Sequence, residues 1–417
     1  MPVALFIIYF IFFCWLITKI SFLKNAGLNS QLLIGLFVIK IAAGLFYGWF
    51  YALPAYISGS DTWRYFNESK SETDWLLKNP VAFIKDLFYY GYQQSGNLFS
   101  GENSYWNDLK TNVIIKLMAI FNVLSFKNYY VNVVFFNFLF FFGPVAFFRM
   151  MNNLYPQKKL LFICSIFLLP SFLFWCSGAH KDGFIFSAIA LSVYYFYLQI
   201  QQKKIRLKYC LMIVLCFILI FILRNFILVL LIPAFAAWFF AERYPQKKWR
   251  VFSTFYLASI ILFFLSGYFF SSVNCLQYVV NKQQEFKALS GNSQIAVPQL
   301  QSTFQSFIYF FPTAIDIAFF RPHITEIKTL SYLPAAAENI LLFVIILISI
   351  VYRNKNIFFS PTLLFCLFFS LSILLLCGYT VTFSGAIVRY KSIVLPFLIT
   401  PFVAMIDNAR LKKFFHL

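Results

Sequence analysis

The chain alternates between long apolar runs and polar loops over most of its length. An α-helix needs roughly 20 residues to cross the hydrocarbon of a bilayer, and several of these runs have only 15–17. We predict about eleven transmembrane helices and expect Lys, Tyr and Trp at the ends of the short runs to lie in the interface. The predicted spans are 3–18, 31–55, 129–151, 160–177, 184–200, 209–223, 226–241, 251–272, 336–352, 357–378 and 390–406.

One apolar segment does not fit this series. Residues 113–126 number only 14, with Lys116 inside them, and counting them as a span would place the basic loop 152–159 on the outer side. We predict instead that this segment is an amphipathic helix lying along the outer interface.

The first large outer loop, residues 56–128, is predicted to hold two further amphipathic helices, around 62–78 and 80–92. Asn79 and Pro80 fit the cap and the first turn of the second helix, because proline is tolerated where no N–H is needed. The outer surface would therefore carry interfacial helices.

Basic residues cluster after alternate spans, and short basic loops face the cytoplasm. This predicts an outer N-terminus, a cytoplasmic C-terminus and a second large outer loop at 273–335. No repeat or soluble domain interrupts the pattern, so we predict one membrane domain over 1–417. The clusters are Lys19/Lys24, Arg149/Lys158/Lys159, Lys203/Lys204/Arg206/Lys208, Arg243/Lys247/Lys248/Arg250, Arg353/Lys355 and Arg410/Lys412/Lys413.

Composition supports the membrane class and excludes others. Hydrophobic residues make up 61% of the chain and charged residues 12%, about half the share of a soluble protein. The net charge of +20 is explained by the basic cytoplasmic loops, so no nucleic-acid partner is predicted. The 8 cysteines form no CxxC and no His/Cys cluster, which argues against a disulfide framework or a zinc site.

Five groups of polar residues follow predicted spans on the outer side. The first is Asp61, after Gly59-Ser60 and before Arg64. A carboxylate at the membrane surface can accept a proton or hold a cation beside a phosphate. The alternative is that Asp61 only caps the helix beginning at Thr62.

The second group is the turn Ser177–Gly183, which carries His180, Lys181 and Asp182 in a row. Ionisable groups at membrane depth usually mark a site or pathway, and His titrates near neutral pH. The alternative is a Lys181–Asp182 pair that marks the interface.

The third group is Arg224, between two predicted spans that are too short for the bilayer. A guanidinium drawn into the outer leaflet suits a phosphate or pyrophosphate, which it grips with two parallel bonds. The alternative is an Arg at a hairpin tip whose head reaches the interface.

The fourth and fifth groups lie near the C-terminus. Arg321, His323 and Glu326 flank Pro322, and Glu338 follows at the head of the next span, where an acid also suits a helix N-terminus. Arg389, Tyr390 and Lys391 begin the last span and suit either a lipid phosphate or interface anchoring. Convergence of the five groups would form a basic cavity for an anionic, lipid-linked substrate.

This layout resembles the C-type membrane glycosyltransferases over residues 31–406, with 3–18 as an extra N-terminal span. Short motifs are also similar to those of membrane proteins from bacterial polysaccharide and O-antigen clusters. These motifs are Ser177-Gly178-Ala179-His180-Lys181-Asp182, Arg321-Pro322-His323-Ile324-Thr325-Glu326, Ala335-Ala336-Ala337-Glu338-Asn339 and Arg389-Tyr390.

The resemblance implies roles for these residues. Asp61 would be the general base or a carboxylate that orients the acceptor, and His180 an acid/base or a phosphate ligand. No second acid stands beside Asp61, so a divalent cation is left open and no other cofactor is implied. The implied substrate-binding residues are Arg64, Lys181, Asp182, Arg224, Arg321, His323, Glu326, Glu338, Arg389, Tyr390 and Lys391.

We therefore predict a glycosyltransferase of the bacterial cytoplasmic membrane, active in cell-envelope polysaccharide or glycolipid assembly. It would move a sugar from a polyprenyl-phosphate donor to a glycan or glycolipid acceptor at the periplasmic face. One alternative is an O-antigen or capsule polymerase that joins lipid-linked oligosaccharides through arginines and His. Another is a lipid-linked glycan flippase or transporter, which the concentration of polar groups at one face disfavours.

Overall fold

The computed structural model describes residues 2–88, 104–202, 204–269, 274–289, 293–326, 332–354, 359–407 and 410. Over these ranges it is helical, and the only extended pairings are two isolated β-bridges. The α-helices are α1 (Pro2–Lys19), α2 (Ser21–Lys24), α3 (Ser30–Ala52), α4 (Asp61–Lys78), α5 (Pro80–Lys85), α6 (Tyr105–Ser125), α7 (Tyr129–Leu154), α8 (Lys159–Phe167), α9 (Pro170–Trp175), α10 (Lys181–Gln202), α11 (Leu207–Arg243), α12 (Lys248–Phe269), α13 (Cys275–Ala288), α14 (Phe304–Ile315), α15 (Leu333–Val351), α16 (Pro361–Thr380) and α17 (Ser384–Met405).

Among the described residues, 9 helices are long and apolar enough to cross a membrane. Helices close all their backbone hydrogen bonds within one segment, which the hydrocarbon requires. The chain is therefore an all-α polytopic membrane protein, as its apolar runs predict. The nine are α1, α3, α7, α10, α11, α12 with the turn before it, α15, α16 and α17.

The predicted count of eleven is not confirmed, and two regions account for the difference. Residues 160–177 form the short helices α8 and α9 rather than one continuous helix. Pro170 begins α9, because proline fits a first turn but not a helix interior. The runs 209–223 and 226–241 are joined in the 37-residue α11, whose helical geometry is interrupted at Arg224 (φ −154°, ψ 82°).

The first large loop folds into helices much as predicted, and their position in the interface stays a prediction. The Asn79 side chain accepts a hydrogen bond from Ala82 N at 3.0 Å, and Pro80 occupies the first turn of α5. A 3₁₀ turn, Asp86–Phe88, ends that element, and 89–92 of the predicted helix lie outside the described residues. Residues 113–125 form the C-terminal part of α6, and Phe126 is its C-cap. This helix is not among the nine spans.

Lys116 joins these loop helices. It is only 3% exposed and lies 2.9 Å from Glu72 and 3.0 Å from Asp86. Its ammonium also stands over the rings of Trp75 and Phe83, at 4.8 and 4.2 Å from their centroids. A cation–π contact strengthens when the cation leaves water, so this lysine links α4, α5 and α6 from inside.

Lys116→Met is expected to destabilise the loop helices by about 1–3 kcal/mol, because two carboxylates lose a charged hydrogen-bond partner. Lys127→Met is the control, since its pair with Asp74 is exposed and such pairs contribute about 0–1 kcal/mol. Thermal unfolding of the purified protein in one detergent compares them. Equal melting temperatures for the two variants would contradict the assignment.

The contacts divide the chain into two compact units. Unit 1 comprises Met1–Leu154 and Leu173–Phe226, and unit 2 comprises Tyr155–Phe172 and Ile227–Leu417. This division by contacts does not test the predicted single membrane domain over 1–417, which stays a prediction.

Helices pack closely within each unit. In unit 1, α7 and α10 approach closely at Gly143, where a Cβ would lie 2.5 Å from Ser187 Cα. Small residues permit such backbone approach between membrane helices. In unit 2, α16 packs on α17 through Phe369 and Phe397, whose ring centroids are 6.1 Å apart.

Candidate functional site

The turn between α9 and α10 is buried in unit 1, and side chains of the neighbouring helices α3 and α7 hydrogen-bond to it. Lys40, within α3, donates to the Cys176 carbonyl at 2.7 Å and to Ser177 Oγ at 3.1 Å. Asn137 of α7 donates to the Ser177 carbonyl at 2.8 Å. A cation inside a span is costly unless it is satisfied, and here it fixes the backbone of the predicted turn.

His180, Asp182 and Arg224 form one buried set. His180 and Asp182 are fully buried, and the Arg224 side chain is 6% exposed. Arg224 Nη2 donates to Asp182 Oδ1 at 2.6 Å, a length typical of a charge-assisted bond. The Asp182 N–H donates to His180 Nδ1 at 3.1 Å, so the proton of a neutral imidazole lies on Nε2.

These contacts revise two interpretations of the sequence. Arg224 lies against a buried carboxylate, which disagrees with an Arg that merely snorkels to the interface. Asp182 lies between His180 and Arg224, with its second oxygen 3.4 Å from His180 Nδ1. Its geometry suits orientation of these two groups, whereas the predicted role was contact with substrate.

Asp61 is partly exposed, and the alternative that it caps a helix beginning at Thr62 is wrong by one residue. The helix begins at Asp61, and Ser60 is its cap, with Oγ 3.5 Å from Trp63 N. Serine is favoured at that position, and an acid in the first turn is favoured by the helix dipole. The Asp61 side chain is 33% exposed.

Arg64 is the cation beside Asp61. Its Nη2 lies 3.6 Å from Asp61 Oδ1, and the side chain is 58% exposed. Burial lowers the pKa of Arg64, but Tyr65 and Asp61 outweigh that effect, so the pKa is raised from its ordinary value. The pair stands at the surface and is worth little to stability.

Thr62 ties the Asp61 segment to the His180 turn. Its hydroxyl donates to the Ala179 carbonyl at 3.0 Å and lies 2.9 Å from the Tyr129 hydroxyl. All of these atoms are buried within unit 1. Asp61 is the residue before Thr62, and His180 is the residue after Ala179. The hydrogen bond from Thr62 to Ala179 therefore brings the first two predicted groups together.

Thr62→Val is expected to destabilise the protein by about 1–3 kcal/mol, because buried oxygen partners lose their hydrogen bond. Thr111→Val is the control, since Thr111 donates only to Asn107 of its own helix. Chemical unfolding followed by tryptophan fluorescence compares the variants. A Thr62 variant as stable as the control would contradict the claim that this hydrogen bond joins the Asp61 segment to the His180 turn.

In unit 2, Arg321 stands between two carboxylates. It lies 2.9 Å from Asp316 and 2.9 Å from Glu326, and His323 Nε2 is 3.0 Å from Asp316. The backbone N–H of His323 also donates to the Glu326 carboxylate, Oε2, at 3.2 Å. Asp316 was missed from the sequence, because it begins a π-helical turn within an apolar stretch.

This charge balance weakens the role implied for Arg321. Two carboxylates, Asp316 and Glu326, face one guanidinium and one imidazole. The group therefore offers a phosphate no excess positive charge. Its predicted contact with the donor phosphate stays a prediction.

The head of α15 and the start of α17 meet close to this group. Lys391 is buried, and it donates to Asn339 Oδ1 at 2.8 Å and to the Phe319 carbonyl at 3.3 Å. Glu338 is 4% exposed and accepts from Ser171 N at 3.0 Å. The fourth and fifth predicted groups therefore come together within unit 2.

Arg389 and Tyr390 belong to the same end of α17, and the Tyr390 ring lies 6.4 Å from that of Phe286. Lys181 is half-buried in the first turn of α10. Their predicted substrate contacts stay predictions.

Asp61, His180 and Arg224 belong to unit 1, whereas Arg321 and Arg389 belong to unit 2. Convergence of all five in one cavity stays a prediction. The described residues contain no group of three or more His, Cys, Asp and Glu that could hold a metal ion.

Comparison of the chain with protein-family models, with curated proteins and with solved structures found no match.

Proposed function

We propose that this chain is a membrane glycosyltransferase that takes a sugar from a polyprenyl-phosphate donor at the outer face of the bacterial cytoplasmic membrane. The acceptor hydroxyl attacks the anomeric carbon and gives its proton to Asp61. The new C–O bond forms as the bond to the phosphate oxygen breaks, and polyprenyl phosphate leaves with the electron pair. An anionic leaving group needs electrostatic stabilisation more than a proton.

The tie through Thr62 is the observation that carries this proposal. It brings an accessible carboxylate, Asp61, beside a turn whose His180 and Asp182 are buried with Arg224. A base open to the acceptor and a preoriented cation are the two groups that this displacement requires.

Asp182 has a supporting role in this scheme. By binding Arg224 at 2.6 Å it fixes one edge of the guanidinium before any substrate arrives. A group that is already oriented costs no reorganisation at the moment of reaction. We assign Asp182 to positioning and Arg224 to the lipid phosphate.

The experiment is sugar transfer in proteoliposomes that contain the purified full-length chain. A panel of polyprenyl-phosphate hexoses, each with a radiolabelled sugar, is offered with total membrane glycolipid as acceptor. The expected result is labelled glycolipid and an equal amount of free polyprenyl phosphate. Labelled sugar that stays on its carrier with every donor, beside an active reference transferase, would contradict the proposal.

A polymerase of lipid-linked oligosaccharides is the second candidate. The buried set of His180, Asp182 and Arg224 favours it, because that set needs no contribution from Asp61. Chain length separates the two functions: a polymerase lengthens a lipid-linked oligosaccharide by whole repeat units, whereas the proposed transferase adds one sugar. Dependence on Asp61 favours the transferase.

A further inference from the structure

Six aromatic side chains of unit 1 form a connected group that neither the proposed base nor the proposed phosphate ligand uses. We call them the aromatic cluster. They come from the C-terminal half of α3, the turn that follows it and the end of α9. The members are Tyr47, Phe50, Tyr51, Tyr56, Phe174 and Trp175.

The cluster is packed against the candidate site. The Tyr47 ring lies 4.7 Å from that of Tyr51 and 5.0 Å from that of Phe174. The Tyr47 ring also lies 5.0 Å from the His180 imidazole. A Cβ added to Gly178 would lie 2.5 Å from the Tyr47 ring. Tyr47 therefore contacts both the other rings of the cluster and the turn that carries His180.

Packing alone does not account for this arrangement. Tyr47 is 2% exposed, but the other five members are only half-buried. Trp and Tyr are also enriched at membrane interfaces, where their rings lie at the level of the headgroups. Here rings from α3 and α9 present a shared, partly open surface beside a buried histidine.

Polar atoms distinguish the cluster from the apolar groove beside it, although Phe46 of that groove lies 6.3 Å from the Phe50 ring and 6.0 Å from the Phe174 ring. Three members are tyrosines and one is tryptophan, so phenol O–H and indole N–H groups lie at the rim of the rings. By contrast, a groove of about 470 Å³ on α3 is lined by apolar and aromatic side chains and offers little polar surface. Its residues are Phe6, Leu45, Phe46, Trp49 and Tyr130.

We infer that the aromatic cluster binds the pyranose ring of the transferred sugar. The C–H face of a pyranose carries slight positive charge and stacks on the negative face of an aromatic ring, while its hydroxyls bond to O–H and N–H groups. A phosphate would be repelled by those same ring faces. This inference rests on the proposed function, because it places the sugar beside His180 and the phosphate at Arg224.

Binding of free sugars tests the inference without any transfer reaction. The full-length protein in nanodiscs is titrated with methyl glucoside, galactoside, mannoside and N-acetylglucosaminide, and saturation transfer to the pyranose C–H protons is measured by NMR. Trp175→Leu and Tyr51→Leu remove a ring and keep apolar bulk. Trp175→Phe keeps a ring, and Trp49→Leu removes an exposed ring of α3 that lines the groove instead.

Each ring-deleting variant is expected to raise the dissociation constant of the preferred glycoside about three- to tenfold. Trp175→Phe should retain most of the affinity and Trp49→Leu should match the wild type. A wild type that binds none of the four glycosides, or wild-type affinity in both ring-deleting variants, would overturn the inference. Ring-dependent binding without transfer from any donor would instead remove the proposed function and leave the sugar site standing.

Discussion

Asp61→Asn is expected to fold and insert normally but to lose sugar transfer by about 10²- to 10⁴-fold, the contribution typical of a general base. The amide keeps the shape of the side chain and its place in the first turn of α4, so the cap at Ser60 is unaffected. Initial rates in proteoliposomes, normalised to inserted protein, give the measurement.

Glu68→Gln is the matched control for that variant. Glu68 is an exposed acid on the same helix and has no assigned role in the reaction. We expect it to transfer sugar at the wild-type rate. Full activity of the Asp61 variant would exclude it as the base and favour the polymerase.

Asp182→Ala is expected to lower the free energy of unfolding by about 3–5 kcal/mol, because it removes the carboxylate that holds a buried guanidinium. Transfer should fall with it, since Arg224 loses its fixed orientation. Thermal unfolding in detergent and transfer rates in proteoliposomes are measured on the same preparations.

The double variant Asp182→Leu/Arg224→Met separates folding from function. Replacing both members of a buried pair by apolar residues is often neutral for stability, so we expect most of the loss to be recovered. Transfer should stay abolished, because the phosphate ligand is gone. Asp74→Ala, which breaks an exposed pair with Lys127, serves as the control and should change stability by about 0–1 kcal/mol. A double variant that transfers sugar would remove Arg224 from the mechanism.

The local elements were predictable because their signals lie within a few residues of each other. Asn79 and Pro80 identify the start of α5, and the amphipathic pattern identifies α4 and α6. These signals depend on backbone geometry and on the nearest turn of helix. The start of α4 was misplaced by one residue because Ser60 and Asp61 are both favoured at a helix start.

The number of transmembrane helices was predicted less well. Hydropathy indicates which segments are apolar enough for lipid, but it does not show whether an apolar run forms one continuous helix. Leu168 and Leu169 look apolar, yet the helix ends there and another begins at Pro170. Arg224 breaks the helical geometry of α11 without ending it. The first break follows from Pro170, and the second falls at the residue that pairs with Asp182; average hydropathy records neither.

Partners distant in the sequence could not be identified from it. His180, Asp182 and Arg224 were each selected for their position near a predicted span end, but the pair joining Asp182 to Arg224 spans 42 positions. Thr62 and Asp316 were missed, because neither stands out by composition. Long-range hydrogen bonds are set by packing, so the sequence singled out the three side chains and the fold supplied their pairing.

Sidedness tests the central claim most directly, because the proposed reaction requires the Asp61 segment and the basic loops to lie on opposite sides of the membrane. In a variant whose 8 natural cysteines are replaced by serine, Ser58→Cys and Ile205→Cys supply exposed probes. We predict that a membrane-impermeant maleimide labels Cys at 58 in intact spheroplasts and labels Cys at 205 only after permeabilisation. The reverse pattern would contradict the account.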